Sequence, residues 1–173
     1  MICWLDVKTT GLDPDTNEIL ELGMIITSDN LRVLNQLTLV INPGSFHMDG
    51  MVLEMHRKSG LLEDIQQGMS AREAADRLIL ALSAFTGDEL SSMRVGGKNV
   101  ARNREFLRKT FPDIEDMLGP KNLDIGIIQD AMLLWCDISP LFPNKTVIPR
   151  VKPYLDNVIE EARELRRLFE GAQ

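Results

Sequence analysis

The sequence contains little cysteine, few aromatic residues and no excess of basic charge. Only Cys3 and Cys136 could pair, which is too few for the disulfide framework of a small secreted protein, so we expect a reducing location such as the cytoplasm. There are 19 Lys and Arg residues against 26 Asp and Glu, a net charge of −7. Because so acidic a surface repels other anions, it argues against long nucleic acid and membranes as ligands.

The chain also lacks long apolar runs, internal repeats and low-complexity stretches. No segment reaches the roughly 18 uncharged apolar residues of a membrane-spanning helix, and the first residues show no targeting signal. Hydrophobic residues make up 44% of the sequence and charged residues 26%, as in ordinary globular proteins. The length of 173 residues suits one domain, and we interpret residues 1–173 as a single unit.

Strand-like apolar runs come first, and helical periodicity follows. Ile2 to Val7 predicts a strand, and Glu18 to Ser28 with Leu31 to Asn42 predicts a hairpin. A capping box at Ser70 predicts a helix that runs to about Phe85. Further strands are predicted at Met93 to Gly97 and Asn122 to Ile125, and further helices at Ala101 to Thr110, Ile127 to Cys136 and from Pro153 onward, after a loop at Ser139 to Arg150. This order indicates an α/β fold.

Five segments, in order along the chain, form a set of motifs. They are Trp4-Leu-Asp-Val-Lys-Thr-Thr-Gly-Leu-Asp13, Met55-His-Arg-Lys-Ser-Gly-Leu61, Gly97 to Leu107, Asn122 to Ile125 and Tyr154 to Arg166. Together they resemble the oligoribonuclease branch of the DEDDh 3′-to-5′ exonucleases, which degrades very short RNA. The resemblance implies a ribonuclease H-like fold, with a mixed five-stranded sheet and helices on both faces.

The resemblance also implies a two-metal nuclease site, but most of its positions are changed. In the family, four carboxylates hold two divalent cations, and a His takes the proton of the attacking water. The five matching positions here are Asp6, Lys8, Asn103, Lys152 and Asn157. If the last segment is shifted by one residue, Asp156 matches the last carboxylate but Val151 takes the place of the His. We therefore expect no intact catalytic set.

Charge decides what these changes mean for metal binding. The five matched positions carry a formal charge of +1, whereas four carboxylates carry −4. An ammonium group about 4 Å from a divalent cation is repelled by roughly 8 kcal/mol at an effective dielectric constant near 20. We expect no cofactor beside the remnant Asp6, and Mg²⁺ or Mn²⁺ only if the chain is an active enzyme.

The positions that hold the substrate in the family are partly kept. Leu12 matches a Leu that wedges against a base, and His56 matches a His that packs on the terminal nucleotide. Met51 replaces a Trp of the same pocket. Lys121 stands in the segment that the partner subunit offers to the terminal phosphate. These matches imply that short RNA or a nucleotide remains a possible ligand.

Each of these residues also has a structural interpretation. Asp6 can cap the turn after its strand, and His56 can pack on the sheet at a helix end. Lys8 and Lys152 are expected to pair with Asp6 and fill the former metal site. Asn103 and Asn157 are expected to make local hydrogen bonds, and Asp124 is expected to cap the helix that follows it.

The leading hypothesis is a catalytically inactive oligoribonuclease-like pseudo-exonuclease that acts as a protein-interaction or scaffold module. One alternative is an active metal-dependent 3′-to-5′ exoribonuclease on very short RNA. Another is a nucleotide-binding module that uses Lys8 and Lys152 in place of metal charge. The expected partner is a second copy of the chain, another protein or an active oligoribonuclease, bound through the apolar helix Ile127 to Cys136 and the loop after it.

Overall fold

The computed structural model of the chain describes residues 1–136 and 150–171. Five strands form one sheet in the order β3-β2-β1-β4-β5. They are β1 Ile2–Thr9, β2 Ile19–Thr27, β3 Val33–Val40, β4 Arg94–Gly97 and β5 Asn122–Asp124. The first three strands pair antiparallel, while β4 and β5 run parallel to β1, so the predicted mixed five-stranded sheet is confirmed.

Eight helices are described around this sheet. They are α1 Gly50–Lys58, α2 Leu61–Ile65, α3 Ala71–Leu82, α4 Gly87–Ser92, α5 Val100–Thr110, α6 Pro112–Met117, α7 Ile125–Cys136 and α8 Val151–Gly171. Among the described helices, none combines the length and the apolarity needed to cross a bilayer.

The alternation of side chains along β1 divides the core in two. Cys3, Leu5 and Val7 pack into a cluster with α3, α5 and α6 on one face of the sheet. Trp4, with Ile2, packs against α7 and α8 on the other face. Because successive side chains of a strand point to opposite faces, residues 6 and 8 lie on the same face as Trp4 and point towards α8. Helices on both faces are thus confirmed.

Helix α8 lies directly on the sheet. A Cβ atom at Gly23 of β2 would come within 2.1 Å of the Val151 side chain, so only glycine permits this approach. The buried carboxylate of Glu21 accepts hydrogen bonds from the backbone N–H of Val151 (3.0 Å) and from Arg150 Nε (3.0 Å). These contacts fix the start of α8, which forms one wall of the cleft described below.

The predicted helix bounds agree with the structure to within three residues. The capping box between Ser70 and Glu73 is present. The helix expected to run to Phe85 ends at Leu82, because a second capping box at Thr86 begins α4. Pro112 occupies the first turn of α6, where its missing N–H does no harm. The loop predicted at Ser139 to Arg150 lies, except for Arg150, outside the described residues.

Candidate functional site

The carboxyl end of β1 packs against α8, and we call the region between them the cleft. Asp6 is buried, and its Oδ2 lies 2.7 Å from the Nζ of Lys8. The two side chains share a face because they are two residues apart on one strand. The Lys8 ammonium also lies 4.5 Å from the centre of the Tyr154 ring on α8, a cation–π contact. The predicted pairing of Lys8 with Asp6 is confirmed.

Asn103 contacts the second carboxylate oxygen of Asp6. Its Nδ2 donates to the backbone carbonyl of Leu5 at 3.1 Å and reaches Asp6 Oδ1 at 3.4 Å. Helix α5 holds Asn103 at this point because Asp124 Oδ2 accepts the N–H of Val100, the first residue of the helix. The expected role of Asn103 as a local hydrogen-bonding group is confirmed.

Asp124 caps two helices at once. Its Oδ2 accepts the N–H of Val100 at the start of α5. Its Oδ1 accepts the N–H groups of Gly126 at 3.0 Å and Ile127 at 3.3 Å in the first turn of α7. The predicted capping role of Asp124 is therefore confirmed.

Lys152 does not pair with Asp6, so that part of the prediction is wrong. Its Nζ donates to both carboxylate oxygens of Asp156, at 2.9 and 3.1 Å, and both side chains are about half exposed. The reason is that α8 already begins at Val151, which places residue 152 inside the helix. At 100° per residue, Lys152 and Asp156 lie on the side of α8 opposite to Tyr154 and Glu161. A nucleotide site that uses both Lys8 and Lys152 is therefore not assembled.

A second ion pair, which the sequence analysis missed, lies on the cleft side of α8. The Nζ of Lys98 is 2.6 Å from Oε2 of Glu161, a buried carboxylate. Asn157 donates to the other oxygen of Glu161 at 2.9 Å, which confirms its expected local hydrogen bonding, and Gln129 of α7 donates to Oε2 at 3.0 Å. The available signal was the spacing of four residues between Asn157 and Glu161 and the position of Lys98 after β4, the strand beside β1.

Burial and charge act against each other in this cleft. Burial raises the pKa of Asp6, and the Lys8 ammonium and the Asn103 amide oppose that rise. The pKa of Tyr154 is also raised, first by burial and then by the negative charges of Asp6, Glu161 and Asp124. The phenol of Tyr154 therefore keeps its proton at neutral pH and is no candidate for a general base.

The residues of this cleft do not fit the pair of divalent cations that the family resemblance implies. One oxygen of Asp6 holds an ammonium group and the other meets an amide N–H, so neither is directed at an open position. In the ranges 1–136 and 150–171, no three His, Cys, Asp or Glu side chains are grouped as a metal site requires. The donors found here are arranged for ion pairing, not for metal coordination.

The predicted substrate-holding residues are not all exposed. Leu12, in the turn after β1, and Met51, at the start of α1, are 68% and 85% exposed. His56 is fully buried, with Nε2 lying 2.9 Å from the backbone oxygen of Thr9, and its Nδ1 has no hydrogen-bond partner among the described residues. Burial lowers the pKa of His56. This geometry favours the structural interpretation of His56, and contact with a nucleotide stays a prediction.

Lys121 lies at the opposite end of the sheet. It is exposed and directly precedes β5, whose register aligns Asn122 with Val95 and Val95 with Cys3. Lys121 is therefore level with Ile2, about 20 Å along the strand direction from Lys8. It does not reach the cleft of its own chain.

Two curated bacterial relatives and one solved structure place the chain among known proteins. The oligoribonuclease of Tropheryma whipplei is 30% identical over 83% of this chain and 79% of its own length. The oligoribonuclease of Chromobacterium violaceum is 30% identical over 95% of this chain and 91% of its own length. No protein-family model matches.

Exonuclease I of E. coli, in its complex with a dT13 oligonucleotide, shares the fold. It superimposes with a TM-score of 0.71 at 15% identity, over 98% of this chain and 42% of its own, so our chain spans less than half of that protein. The fold expected from the sequence is thus confirmed as that of the ribonuclease H-like exonucleases. Given the two relatives at 30% identity over most of both chains, this protein belongs to the oligoribonuclease family.

Proposed function

We propose that this chain is a member of the oligoribonuclease family that does not hydrolyse RNA with metal ions and acts instead through binding. The observation that supports this most directly is the 2.7 Å ion pair between Asp6 and Lys8. A buried ammonium in this position repels a cation and occupies the carboxylate that would bind it. The proposed unit is one exonuclease-like domain, residues 1–173, working in the cytoplasm.

The lack of a base supports the same proposal. Lys152, at the position that matches the family's His, is directed away from the cleft and pairs with Asp156. Tyr154 faces the cleft, but its raised pKa keeps its proton in place. No described side chain in the cleft is thus suited to take a proton from an attacking water at neutral pH.

The test is an assay with end-labelled di- to pentanucleotides of RNA, in Mg²⁺ or Mn²⁺, with Asp6→Ala as the matched variant. We expect no release of mononucleotides from either protein. Metal-dependent release by the unmodified chain that disappears in Asp6→Ala would overturn the proposal and establish the active exoribonuclease.

Binding of short RNA without hydrolysis is a second candidate, favoured by the exposed Leu12 beside the cleft. An apolar side chain that is 68% exposed can still contact a base, as the resemblance implies. Fluorescence anisotropy of a labelled dinucleotide in EDTA tests it. Binding that weakens several-fold in Leu12→Ser supports this role, and equal signals from both proteins contradict it.

The protein partner that we propose is a second copy of the chain, docked on α7. Exposed apolar side chains cover the outer surface of this helix, namely Ile127, Leu133, Leu134 and Trp135. Residues 127 and 135 are about 12 Å apart along α7. In an antiparallel two-fold pairing of α7 with its copy, each Trp135 would therefore contact the N-terminal turn of the partner helix. The position of Lys121 agrees with this occupant, because Lys121 lies at the opposite end of the sheet from the cleft of its own chain, and the phosphate contact implied by the resemblance would need the cleft of a second copy. The loop included in the predicted contact lies outside the described residues.

Sedimentation equilibrium at micromolar concentration decides the question of assembly. We expect a mass above 19.5 kDa that falls on dilution, and a shift towards monomer in Trp135→Glu but not in Phe169→Glu, an equally apolar exposed position on α8. A constant mass of 19.5 kDa, or equal effects of the two substitutions, contradicts the proposal. A complex formed only with an added active oligoribonuclease would show that the partner is the relative.

A further inference from the structure

The second ion pair of the cleft, Lys98 with Glu161, has no counterpart among the positions that the family resemblance assigns. Glu161 is 5% exposed, and its two carboxylate oxygens accept from three donors, namely Lys98 after β4, Gln129 of α7 and Asn157 of α8. One of those donors is Asn157, which stands at the position of the last metal-binding carboxylate. The Lys98 ammonium is thus separated from position 157 by a single carboxylate group.

The two ion pairs border the same cleft. The Nδ2 of Asn103 lies 3.4 Å from Asp6 Oδ1 and 3.4 Å from the backbone oxygen of Lys98. Tyr154 and Glu161 lie on the same side of α8, seven residues apart, and the Tyr154 ring contacts the Lys8 ammonium. A substitution at Lys98 or Glu161 therefore changes the charge of the same cleft that contains the ion pair of Asp6 and Lys8.

We propose that Lys98, held by Glu161, is a second determinant of metal exclusion, independent of Lys8. The inference rests on the proposed function and deepens it. If an aspartate replaces Asn157, its carboxylate faces Glu161 without the amide donor, and the Lys98 ammonium already contacts Glu161. The new carboxylate is then neutralised by Lys98 in the way that Asp6 is neutralised by Lys8. Restoring the carboxylates at the family's positions leaves metal binding weak until Lys98 is replaced as well.

The experiment compares Mn²⁺ binding by calorimetry in three proteins. The first carries Lys8→Glu, Asn103→Asp and Asn157→Asp. The second adds Lys98→Gln to these three substitutions, and the third instead adds Lys109→Gln, at an exposed lysine of α5. We expect the second protein to bind Mn²⁺ at least about tenfold more tightly than the first, and the third to match the first. Equal affinities in the first and second proteins would overturn the inference.

A second measurement covers the case in which the multiple variants do not fold. The substitution Asn157→Asp is made in the unmodified chain and in the Lys98→Gln variant, and the loss in melting temperature is compared. We expect the loss to be smaller in the unmodified chain, by about 3 °C or more. Equal losses in both backgrounds contradict the pairing of Lys98 with the new carboxylate.

The two proposals fail in different ways. Mn²⁺ binding or RNA hydrolysis by the unmodified chain would refute the proposed function. An unmodified chain that stays inactive, together with a Lys98→Gln substitution that changes nothing, would refute only this inference.

Discussion

The chain buries two ion pairs of equal length in different surroundings. Arg104 lies 2.7 Å from Glu115, and Lys8 lies 2.7 Å from Asp6, with all four side chains at most 13% exposed. The Arg104 guanidinium also donates to the carbonyl of Gly119 and to the Asn122 side chain, so it joins α5, α6 and the segment before β5. Lys8 hydrogen-bonds a residue of its own strand and otherwise contacts a ring.

The difference separates a contact that holds the fold from a contact that sets the chemistry of a cleft. The pair formed by Arg104 connects distant segments, which explains its burial by structure alone. Among the described residues, the Lys8 ammonium donates a hydrogen bond only to Asp6 of its own strand, yet it occupies the place where a carboxylate would otherwise bind a cation. Breaking each pair in turn tests this distinction.

The largest effect is expected from Arg104→Met. The substitution leaves the Glu115 carboxylate and the Gly119 carbonyl without their buried donor, so we expect a loss of about 3–5 kcal/mol in the free energy of unfolding. Urea denaturation measures it. The matched control is Arg108→Met, because Arg108 also contacts Glu115 but is 58% exposed, and its loss should stay below about 1 kcal/mol. Equal losses would refute the structural role assigned to Arg104.

Lys8→Met comes next, with an expected loss near the lower end of about 3–5 kcal/mol, because Asp6 can take up a proton once its partner is gone. The sharper result is that of Lys8→Met combined with Asp6→Asn, which leaves no unpaired charge. This double variant should regain most of the lost stability in the same denaturation experiment. If the double variant loses as much free energy of unfolding as the two single variants together, Lys8 and Asp6 are not coupled.

A smaller, pH-dependent effect is expected from His56. Its pKa in the folded protein is lowered by burial, so the folded state binds fewer protons than the unfolded state, whose His titrates near 6.5. The stability it contributes is therefore present above about pH 6.5 and is lost as the pH falls below that value. Melting curves between pH 7.5 and 5 should show a weaker loss in His56→Gln, whereas the exposed His47→Gln should behave as the unmodified chain.

The smallest effect is expected from Lys152→Ala. Its pair with Asp156 is an exposed contact across one helical turn, and we expect a change of no more than about 0.5 kcal/mol. A loss as large as that of Lys8→Met would show that Lys152 does reach Asp6 and would reinstate the site with two lysines.

Much of the fold and part of the site could be predicted from the sequence. The apolar runs and turn residues predicted the strands, while the family resemblance implied the five-stranded sheet and the pairing of Lys8 with Asp6. The direction of Lys152 was beyond such reasoning, since it depends on the residue at which α8 begins. The pairing of Lys98 with Glu161 joins residues 63 positions apart, and it depends on the packing of α8 against β1 and α7.

The most direct test of the central claim is a titration of the unmodified chain with Mn²⁺, in which electron paramagnetic resonance measures the free ion. The ion pair of Lys8 with Asp6 predicts that the free-ion signal equals that of a protein-free solution up to millimolar Mn²⁺, and that Asp6→Asn changes nothing. A stoichiometric loss of signal that Asp6→Asn abolishes would show that Asp6 binds metal and would contradict the account.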